Sequence, residues 1–472
     1  MTHPLRDDAP LYTDLYELTM AQGYFLEGRA EQTACFDYFF RKAPFDGGYA
    51  IFAGLAELVE ILENFHFDEA ALSYLKEQGF HDSFLSYLRD FEFQAELMAP
   101  PEGEVVFGFA PVCRVCGPII QAQVVETLLL NLLNFSTLVA TKASRMRLVA
   151  GDRKLIDFGL RRAQGLAGMQ ASRAAIIGGF DSTSNVLAGR QHNLPISGTQ
   201  AHSWIQSYGD ELEAFRAYAR HYPDGCILLV DTYDTLESGV PNAIKVAGEL
   251  RQRGHELVGI RLDSGDLAYL SKHARRMLDD AGFPNVKIAA SNQLDEHLIK
   301  SLLHDQDAAI DVFGVGTQLV TAYDDAALDG VYKLCSVDDE PRIKISENFE
   351  KVNFPGNKQV LRLVDEAGFF YGDAVALDDE DSVEHIFHPY DPYKDVSVAE
   401  YDQQPLLRPI MRDGQVVAEL HSVEEARDYA RRRLAMLPDE HKRFNNPHIY
   451  KVGLSRKLHE LRHHTLEAAK EN

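Results

Sequence analysis

Tryptophan occurs once in the 472 residues, as Trp204, and cysteine only five times. The odd set Cys35, Cys113, Cys116, Cys226 and Cys335 argues against a fully paired disulfide framework and suits free thiols in a reducing compartment. Cys113-Arg-Val-Cys116 is a lone CxxC with no second pair, so a zinc site is the weaker reading. No run of about 18 apolar residues offers a membrane span. The opening MTHPLRDDAPLYTD contains no apolar h-region, and the expected location is cytoplasmic. Cations are also scarce. The 47 Lys+Arg against 72 Asp+Glu leave a formal charge of −25, which disfavours nucleic acid and anionic membrane as partners. A site for anionic substrates must therefore supply its own local cations. GxSxG, HExxH and GxxxxGK[ST] are all missing, which removes the serine-elbow hydrolases, the zincins and the P-loop enzymes.

What is present centres on Leu257–Leu267, LVGIRLDSGDL. Its start is apolar and β-branched, as in a buried strand. Arg261, Asp263, Ser264 and Asp266 then arrive together, with Gly265 permitting a tight turn. A helical stripe follows at once through Leu267, Leu270, Ala274, Met277, Leu278 and Ala281. A guanidinium and two carboxylates thus crowd the carboxyl end of a strand, where α/β enzymes place their chemistry. A helix cap accounts for one of these acids and leaves Arg261 unexplained.

The same unit recurs from about residue 150. Lys154–Asp157, Ala174–Phe180, Leu194–Ser197, Cys226–Val230, Leu257–Ile260, Val286–Ala290 and Ile310–Phe313 all read as strands with polar ends. Helical segments such as Glu211–His221 and Ala243–Gln252 lie between them. Seven such units predict an α/β fold built on an irregular (β/α) barrel; a doubly wound open sheet is the alternative. The expected domains are an N-terminal α/β domain over 1–135, the catalytic barrel over 136–350, and a C-terminal region over 351–472 that packs on the first. Upstream, Asp14-Leu-Tyr-Glu17 has capping-box spacing, Ala34–Phe40 alternates like a strand, and Gln123–Phe135 is a strongly apolar helix. Residues 372–402 are acidic and read as a solvated loop or edge.

The rim residues suggest chemistry. Gly314-Val-Gly316-Thr317 follows the last clear strand, where barrels commonly bind phosphate through backbone N–H groups, and Ser291-Asn292 adds donors nearby. Asp231 and Asp263, on consecutive strands, suit Mg²⁺, held directly or through water, or two sugar hydroxyls. Arg161, Arg162 and Arg261 supply cations, Phe158 an aromatic face, and His202 the histidine of the rim. This reading reaches a barrel enzyme that binds a phosphorylated sugar with a divalent metal. A lyase or hydrolase acting on a sugar phosphate, or a non-catalytic ligand-binding regulator, fits it as well.

Taken together the segments resemble the nicotinate phosphoribosyltransferases. The resemblance runs through LYTDLYELTMAQGYF, FFRKAPFDGGYAIFAGL, ETLLLNLLNFSTLVATKASR, IDFGLRRAQG, GGFDSTSNVLAG, GTQAHSW, VDTYDTLESGVPNAI, GIRLDSGDLAYLS and FGVGTQLVT, over roughly residues 10–365. It implies the type II phosphoribosyltransferase fold and a homodimer with shared active sites. It also implies transfer from 5-phosphoribosyl 1-diphosphate to nicotinate, coupled to ATP hydrolysis through a phosphohistidine. The matching histidine is His202. Tyr16, with Asp14 close by, would stack on the pyridine from the partner subunit, and Phe158 would form the opposite face. Arg161 and Arg261 would flank the ring and the phosphoribosyl group. Asp231 and Asp263 would hold ribose and magnesium-bound diphosphate. Ser291, Asn292, Gly314 and Gly316 would cradle the 5-phosphate, with Ser182, Thr199 and Thr317 also among the substrate-binding positions. Arg41, Lys42, Lys333, Lys344 and Lys351 are candidates for diphosphate or ATP phosphates. Asp181 matches an aspartate that accepts the amide of nicotinamide in the related nicotinamide enzyme, or else faces ribose or a nearby arginine.

Overall fold

A computed structural model describes residues 5, 8–345, 353–391 and 393–471. The chain divides into two compact units, Met1–Thr141 with Ala327–Asn472, and Lys142–Ala326.

The first unit is built on two antiparallel-rich sheets. A seven-stranded sheet runs in the order Glu340–Pro341, Gly330–Val337, Thr33–Phe40, Cys113–Pro118, Glu96–Ala99, Arg408–Arg412 and Gln415–Val416. The strand Thr33–Phe40 is buried on both faces apart from its first residue. The polar exception inside it, Asp37, is balanced by the buried Lys358 ammonium at 2.8 Å. A six-stranded sheet is formed by Asp395–Ser397, His385–Phe387, Lys451–Leu454, Phe370–Leu377, Lys358–Val364 and Asp402–Pro405. The acidic stretch 372–402 therefore carries most of the strand Phe370–Leu377 and all of His385–Phe387 and Asp395–Ser397, with turn and coil between them, as at 378–384. The sequence reading saw its charge and not its alternation with Ala374, Ala376 and Ile386, which are buried.

Cys35 and Cys116 face each other across paired strands and are joined by a disulfide, while Cys113, Cys226 and Cys335 are free and buried. This corrects the expectation of five free thiols. It also removes the CxxC as a metal pair, because one of its sulfurs is committed elsewhere. The segment Ile119–Ala150 is helical almost throughout, with Glu126–Ala150 its longest helix. By length and composition it is apolar enough to cross a membrane, although 67% of its apolar window is buried inside the protein. The expected helix Gln123–Phe135 is thus half of the real one.

The second unit carries a six-stranded parallel sheet. Its strands are β1 (Lys154–Asp157), β2 (Ser182–Thr183), β3 (Ile227–Leu229), β4 (Gly259–Leu262), β5 (Lys287–Ser291) and β6 (Val312–Val315). They pair in the order β2-β1-β6-β5-β4-β3, so the first long strand sits beside the last. Helices such as Val240–Gln252 and Leu267–Asp280 connect them, as parallel pairing requires.

Two expectations change here. Ala174–Phe180 is not a strand: Ala167–Ile177 is a helix, and β2 begins only at Ser182. Every residue from Gly168 to Ile177 is buried, so the helix has no polar face and no 3.6-residue period to betray it. The sheet also does not close into a barrel through the described residues. Leu194–Ser197 contributes a single bridge, Thr183 to Ile196. Thr183 donates its N–H to the Pro195 carbonyl and accepts from the Ser197 N–H, both at 3.0 Å, so the segment is bonded on the β2 side. Between this segment and β3, the Gln200 side chain donates to the Ile227 carbonyl at 3.4 Å where a strand pair would otherwise lie. Small inward residues, among them Gly259 and Ala289, leave a cavity of about 960 Å³ along the inner face of the sheet.

Candidate active site

The carboxyl ends of β1, β4, β5 and β6 surround a cavity of about 280 Å³, lined by Phe158, Arg161, Arg261, Asp263, Ser291 and Gly316 among others. Arg261 leaves β4 and is locked in three directions. Its Nε donates to Ser291 Oγ at 2.9 Å, Nη1 to Thr199 Oγ1 at 2.8 Å, and Nη2 to Asp263 Oδ1 at 2.9 Å. Ser291 Oγ also donates to Asp263 Oδ1 in a very short hydrogen bond. Burial alone would raise the Asp263 carboxyl, but the Ser291 hydrogen bond and the charges of Arg261 and His202 outweigh it and hold it below the usual range. Asp263 is therefore ionised at neutral pH and fixed in direction.

Asp231, just past β3, has a side chain that is 1% exposed. Its Oδ2 accepts the backbone N–H of Asp263 at 2.8 Å and the Ser264 hydroxyl at 2.6 Å. Its Oδ1 is buried with no hydrogen-bond partner among the described residues and lies 4.0 Å from His202 Nε2. His202 opens the helix His202–Tyr208. Its Nδ1 contacts Thr232 Oγ1 at 3.0 Å, and its Nε2 stands 3.6 Å from Asp263 Oδ2. One imidazole thus faces two carboxylates on one side and a hydroxyl on the other, an arrangement that orients the ring. Asp234 and Asp266 take no part in it; they cap the turns that follow, accepting from Leu236 and Glu237 and from Tyr269.

On the other side of the cavity, Arg161 and Arg162 lie in the turn Leu160–Arg162, exposed and without an ion pair among the described residues. They are the local cations that a strongly acidic chain must supply. Phe158 stands beneath Arg261, whose guanidinium carbon lies 5.3 Å from the ring centroid. Asn292 and Gln293, after β5, both adopt positive φ, at 102° and 47°. Such conformations cost energy and persist where the surroundings dictate them, commonly at ligand sites.

Asp181 and Ser182 are not brought to this cavity. Asp181 precedes β2, and its Oδ2 accepts from Arg147 Nη2 at 2.6 Å and from the Leu155 backbone N–H at 2.8 Å. Of the readings left open for it, the structure takes the nearby arginine. Ser182 is buried within the ladder opposite Ile156. Sequence reasoning missed Asp157. It is buried and accepts from Gly159 N at 2.8 Å, Ser172 Oγ at 2.8 Å and Thr183 Oγ1 at 2.7 Å. It ties the turn bearing Phe158 and Arg161 to β2 and to the helix beyond. Thr232 was missed as well, although it directly follows Asp231 in the motif VDTYD.

Asp14, Tyr16, Arg41, Lys42, Lys333 and Lys344 belong to the first unit, and Lys351 lies outside the described residues. There Tyr16 is 45% exposed, at the start of the helix Leu15–Leu26. Burial and the carboxylates of Glu126, Glu17 and Asp14 keep its hydroxyl protonated. The capping box does not form. Glu17 turns instead to Thr127, accepting its backbone N–H at 3.0 Å and its hydroxyl, and to the Thr13 hydroxyl at 2.6 Å. Burial lifts its carboxyl to about 7, although those hydrogen bonds pull the other way. Arg41 approaches Asp329 at 3.9 Å, Lys42 pairs with Asp46, and Lys344 is exposed.

This fold has known counterparts. Human nicotinic acid phosphoribosyltransferase superposes with a TM-score of 0.85 at 33% identity, covering 96% of this chain and 99% of that one. Nicotinate-nucleotide pyrophosphorylase from Pyrococcus furiosus shares the fold at a TM-score of 0.71 and 24% identity, over 92% and 97% of the two chains. The architecture is that of the type II phosphoribosyltransferases.

Family models narrow this further. Those of the nicotinate phosphoribosyltransferase N-terminal domain, family and C-terminal domain match residues 11–134, 153–384 and 357–462. Nicotinate phosphoribosyltransferase of Bacillus subtilis is 45% identical over 460 residues, 95% of this chain and 93% of that protein. The chain belongs to the nicotinate phosphoribosyltransferase family.

Proposed function

We propose that this protein joins nicotinate to 5-phosphoribosyl 1-diphosphate, giving nicotinate mononucleotide and pyrophosphate, in NAD salvage. The observation that supports this most directly is the fixed triangle of Arg261, Asp263 and Ser291 beside Phe158 and the unpaired Arg161 and Arg162. It combines an aromatic wall, cations for a carboxylate or phosphate, and an ionised acid for sugar hydroxyls. In this reading Phe158 and Arg261 hold the pyridine, Asp263 orients the ribose, and Asn292, Gly316 and Thr317 receive the 5-phosphate. Transfer from such a donor develops positive charge on the sugar and negative charge on the departing diphosphate. Ionised Asp263 suits the first charge and Arg161 with Arg162 the second. Holding nicotinate and donor in line contributes through positioning, and no protein nucleophile is needed for the transfer itself.

Magnesium fits the donor set as an ion bound mainly through substrate. No group of three or more His, Cys, Asp or Glu suited to a metal occurs among the described residues. Asp231 Oδ1, buried and without a hydrogen-bond partner among the described residues, and Asp263 Oδ2 remain as the protein oxygens. The ion would supply positive charge to the leaving diphosphate.

Coupling to ATP falls to His202. As a neutral imidazole it attacks the γ-phosphorus, the bond to the ADP oxygen breaks, and the new phosphohistidine later yields inorganic phosphate to water. The carboxylates of Asp231 and Asp263 orient the ring and compensate its positive charge. Tyr16, on an exposed helix start, is assigned to the neighbouring subunit's ring site in a cytoplasmic homodimer. Tyr16→Ala mixed with Asp263→Asn subunits then regains activity, and mixed dimers that regain none exclude the shared site. In the same reading the carboxyl ends of the parallel sheet in the second unit carry the chemistry.

The deciding experiment measures pyrophosphate release with nicotinate and with nicotinamide, each with and without ATP. Release with nicotinate that rises with ATP is expected. Turnover of the amide alone, or no pyrophosphate at all, defeats the assignment.

A further inference from the structure

The two nitrogens of the His202 ring meet different surroundings. Nε2 stands 3.6 Å from Asp263 Oδ2 and 4.0 Å from Asp231 Oδ1, whereas Nδ1 meets a neutral hydroxyl, Thr232 Oγ1, at 3.0 Å. Two carboxylates favour a proton on the nitrogen that faces them, so the neutral ring carries its hydrogen on Nε2. The Nδ1 lone pair is then bare, and the Thr232 hydroxyl donates to it.

Thr232 and His202 are also mounted differently. Thr232 follows Asp231, whose Oδ2 accepts from the Asp263 N–H and the Ser264 hydroxyl. Asp234 caps the next turn, and the Gly239 N–H donates to the Asp234 carbonyl at 2.8 Å. Gly239 folds back so closely that a methyl group on it would come within 1.8 Å of the Val230 carbonyl oxygen. The turn bearing Thr232 is thus clamped at both ends. His202, by contrast, is reached through residues 198–201, which lie outside the strands. There Thr199 accepts from Arg261 and Gln200 donates to the Ile227 carbonyl, both through side chains. A fixed hydroxyl therefore faces a ring carried on a less constrained segment.

We propose that Thr232 is a positioning residue for phosphoryl transfer to His202: its hydroxyl holds the ring with Nε2 toward the two carboxylates and presents Nδ1 as the nucleophile. This deepens the ATP coupling proposed above and rests on it. In the step, the Nδ1 lone pair forms the bond to the γ-phosphorus as the bond from phosphorus to the ADP oxygen breaks, and ADP leaves with that electron pair. The positive charge left on the ring is met at Nε2–H by Asp263 and Asp231. The Thr232 hydroxyl yields the lone pair to phosphorus and donates to a phosphoryl oxygen instead. Transfer to Nε2 would set a dianionic group against two carboxylates, and like charges at that range repel.

The test uses the full-length protein, γ-phosphate-labelled ATP and two variants. Thr232→Val keeps the shape and loses the hydroxyl, and Thr232→Ser keeps the hydroxyl. Phosphorus NMR of the phosphorylated protein, unfolded in alkali to preserve the P–N bond, tells the Nδ1 isomer from the Nε2 isomer. Wild type is expected to carry the Nδ1 isomer alone. Thr232→Val is expected to label about 10–100-fold more slowly and to yield a mixture of isomers. Its KM values for ATP and nicotinate stay within about threefold of wild type. Thr232→Ser restores the single isomer and a labelling rate within about threefold. The isomer is read on whatever label forms, so it reports ring placement and not fold stability. An Nε2 isomer in wild type, undiminished labelling in Thr232→Val, or a Thr232→Ser protein no better than Thr232→Val overturns the assignment. Wild-type protein that takes no label overturns the His202 coupling itself and the positioning role with it; that result is distinguishable because it concerns the unmutated chain.

Discussion

The backbone N–H of Asp263 donates to the buried carboxylate of Asp231 at 2.8 Å, so one rim acid holds the loop that carries the other. The remaining oxygen of Asp231 faces His202. Structural and chemical duties are thus divided between the two oxygens of a single side chain, which makes them separable by mutation.

Asp231→Asn keeps an oxygen able to accept from Asp263 and Ser264 but removes the charge beside His202. Activity with ATP is expected to fall about 10–100-fold with little change in melting temperature. Asp231→Ala strands both donors and additionally costs about 1–3 kcal/mol of stability by urea titration. Equal kinetics for wild type and Asp231→Asn would remove Asp231 from the histidine chemistry.

His202→Ala abolishes labelling of the protein by γ-phosphate-labelled ATP, and with it the stimulation by ATP. Some ATP-independent transfer survives, because the cavity lined by Phe158 and Arg261 is intact. Retained labelling would place the phosphoryl group on another residue.

Asp181→Ala leaves the preference between nicotinate and nicotinamide within about threefold of wild type, since its carboxylate serves Arg147 and Leu155 and lies away from the cavity. The pair is partly exposed, so the stability loss is small, about 1 kcal/mol. A reversal of the acid–amide ratio would return Asp181 to the substrate.

Glu17 makes stability depend on pH with a definite sign. Burial raises its carboxyl from the ordinary 4.5 to about 7 in the folded protein. The folded state therefore binds this proton more tightly, and the resulting stabilisation is present below pH 4.5 and lost as pH rises through about 7. Glu126, also raised by burial, acts in the same direction. Glu17→Gln flattens this part of the profile, gaining about 1–3 kcal/mol on wild type between about pH 5 and 8. Urea midpoints across that range check it, and parallel profiles would contradict it.

The strands of the parallel sheet were largely legible because apolar runs ending in Asp231, Arg261 with Asp263, and Ser291 carry their chemistry at one end. Lys154–Asp157 is observed with the bounds read from sequence, and Glu211–His221 likewise. The helix Ala167–Ile177 was not legible, since uniform burial erases the periodicity that distinguishes helix from strand. Nor was the open sheet. Seven polar strand ends imply a ring, but closure depends on whether Leu194–Ser197 exchanges backbone hydrogen bonds on both sides; it bridges Thr183, while toward β3 a Gln200 side chain reaches the Ile227 carbonyl instead. The hub at Asp157 was hidden for another reason. Its donors lie 2, 15 and 26 residues away, and no spacing rule brings them together.

The order β2-β1-β6-β5-β4-β3 also dictates a sequence of assembly. During synthesis β3, β4, β5 and β6 can zip together one after another as each emerges. β1 is made first among the six, yet it gains its second neighbour only when Val312–Val315 has left the ribosome. The three donors to Asp157, at Gly159, Ser172 and Thr183, are all made before β6, so this link between β1 and β2 does not depend on the last strand. A buried carboxylate at the edge of the site is in this sense a placeholder, holding the oldest strand ready for the youngest.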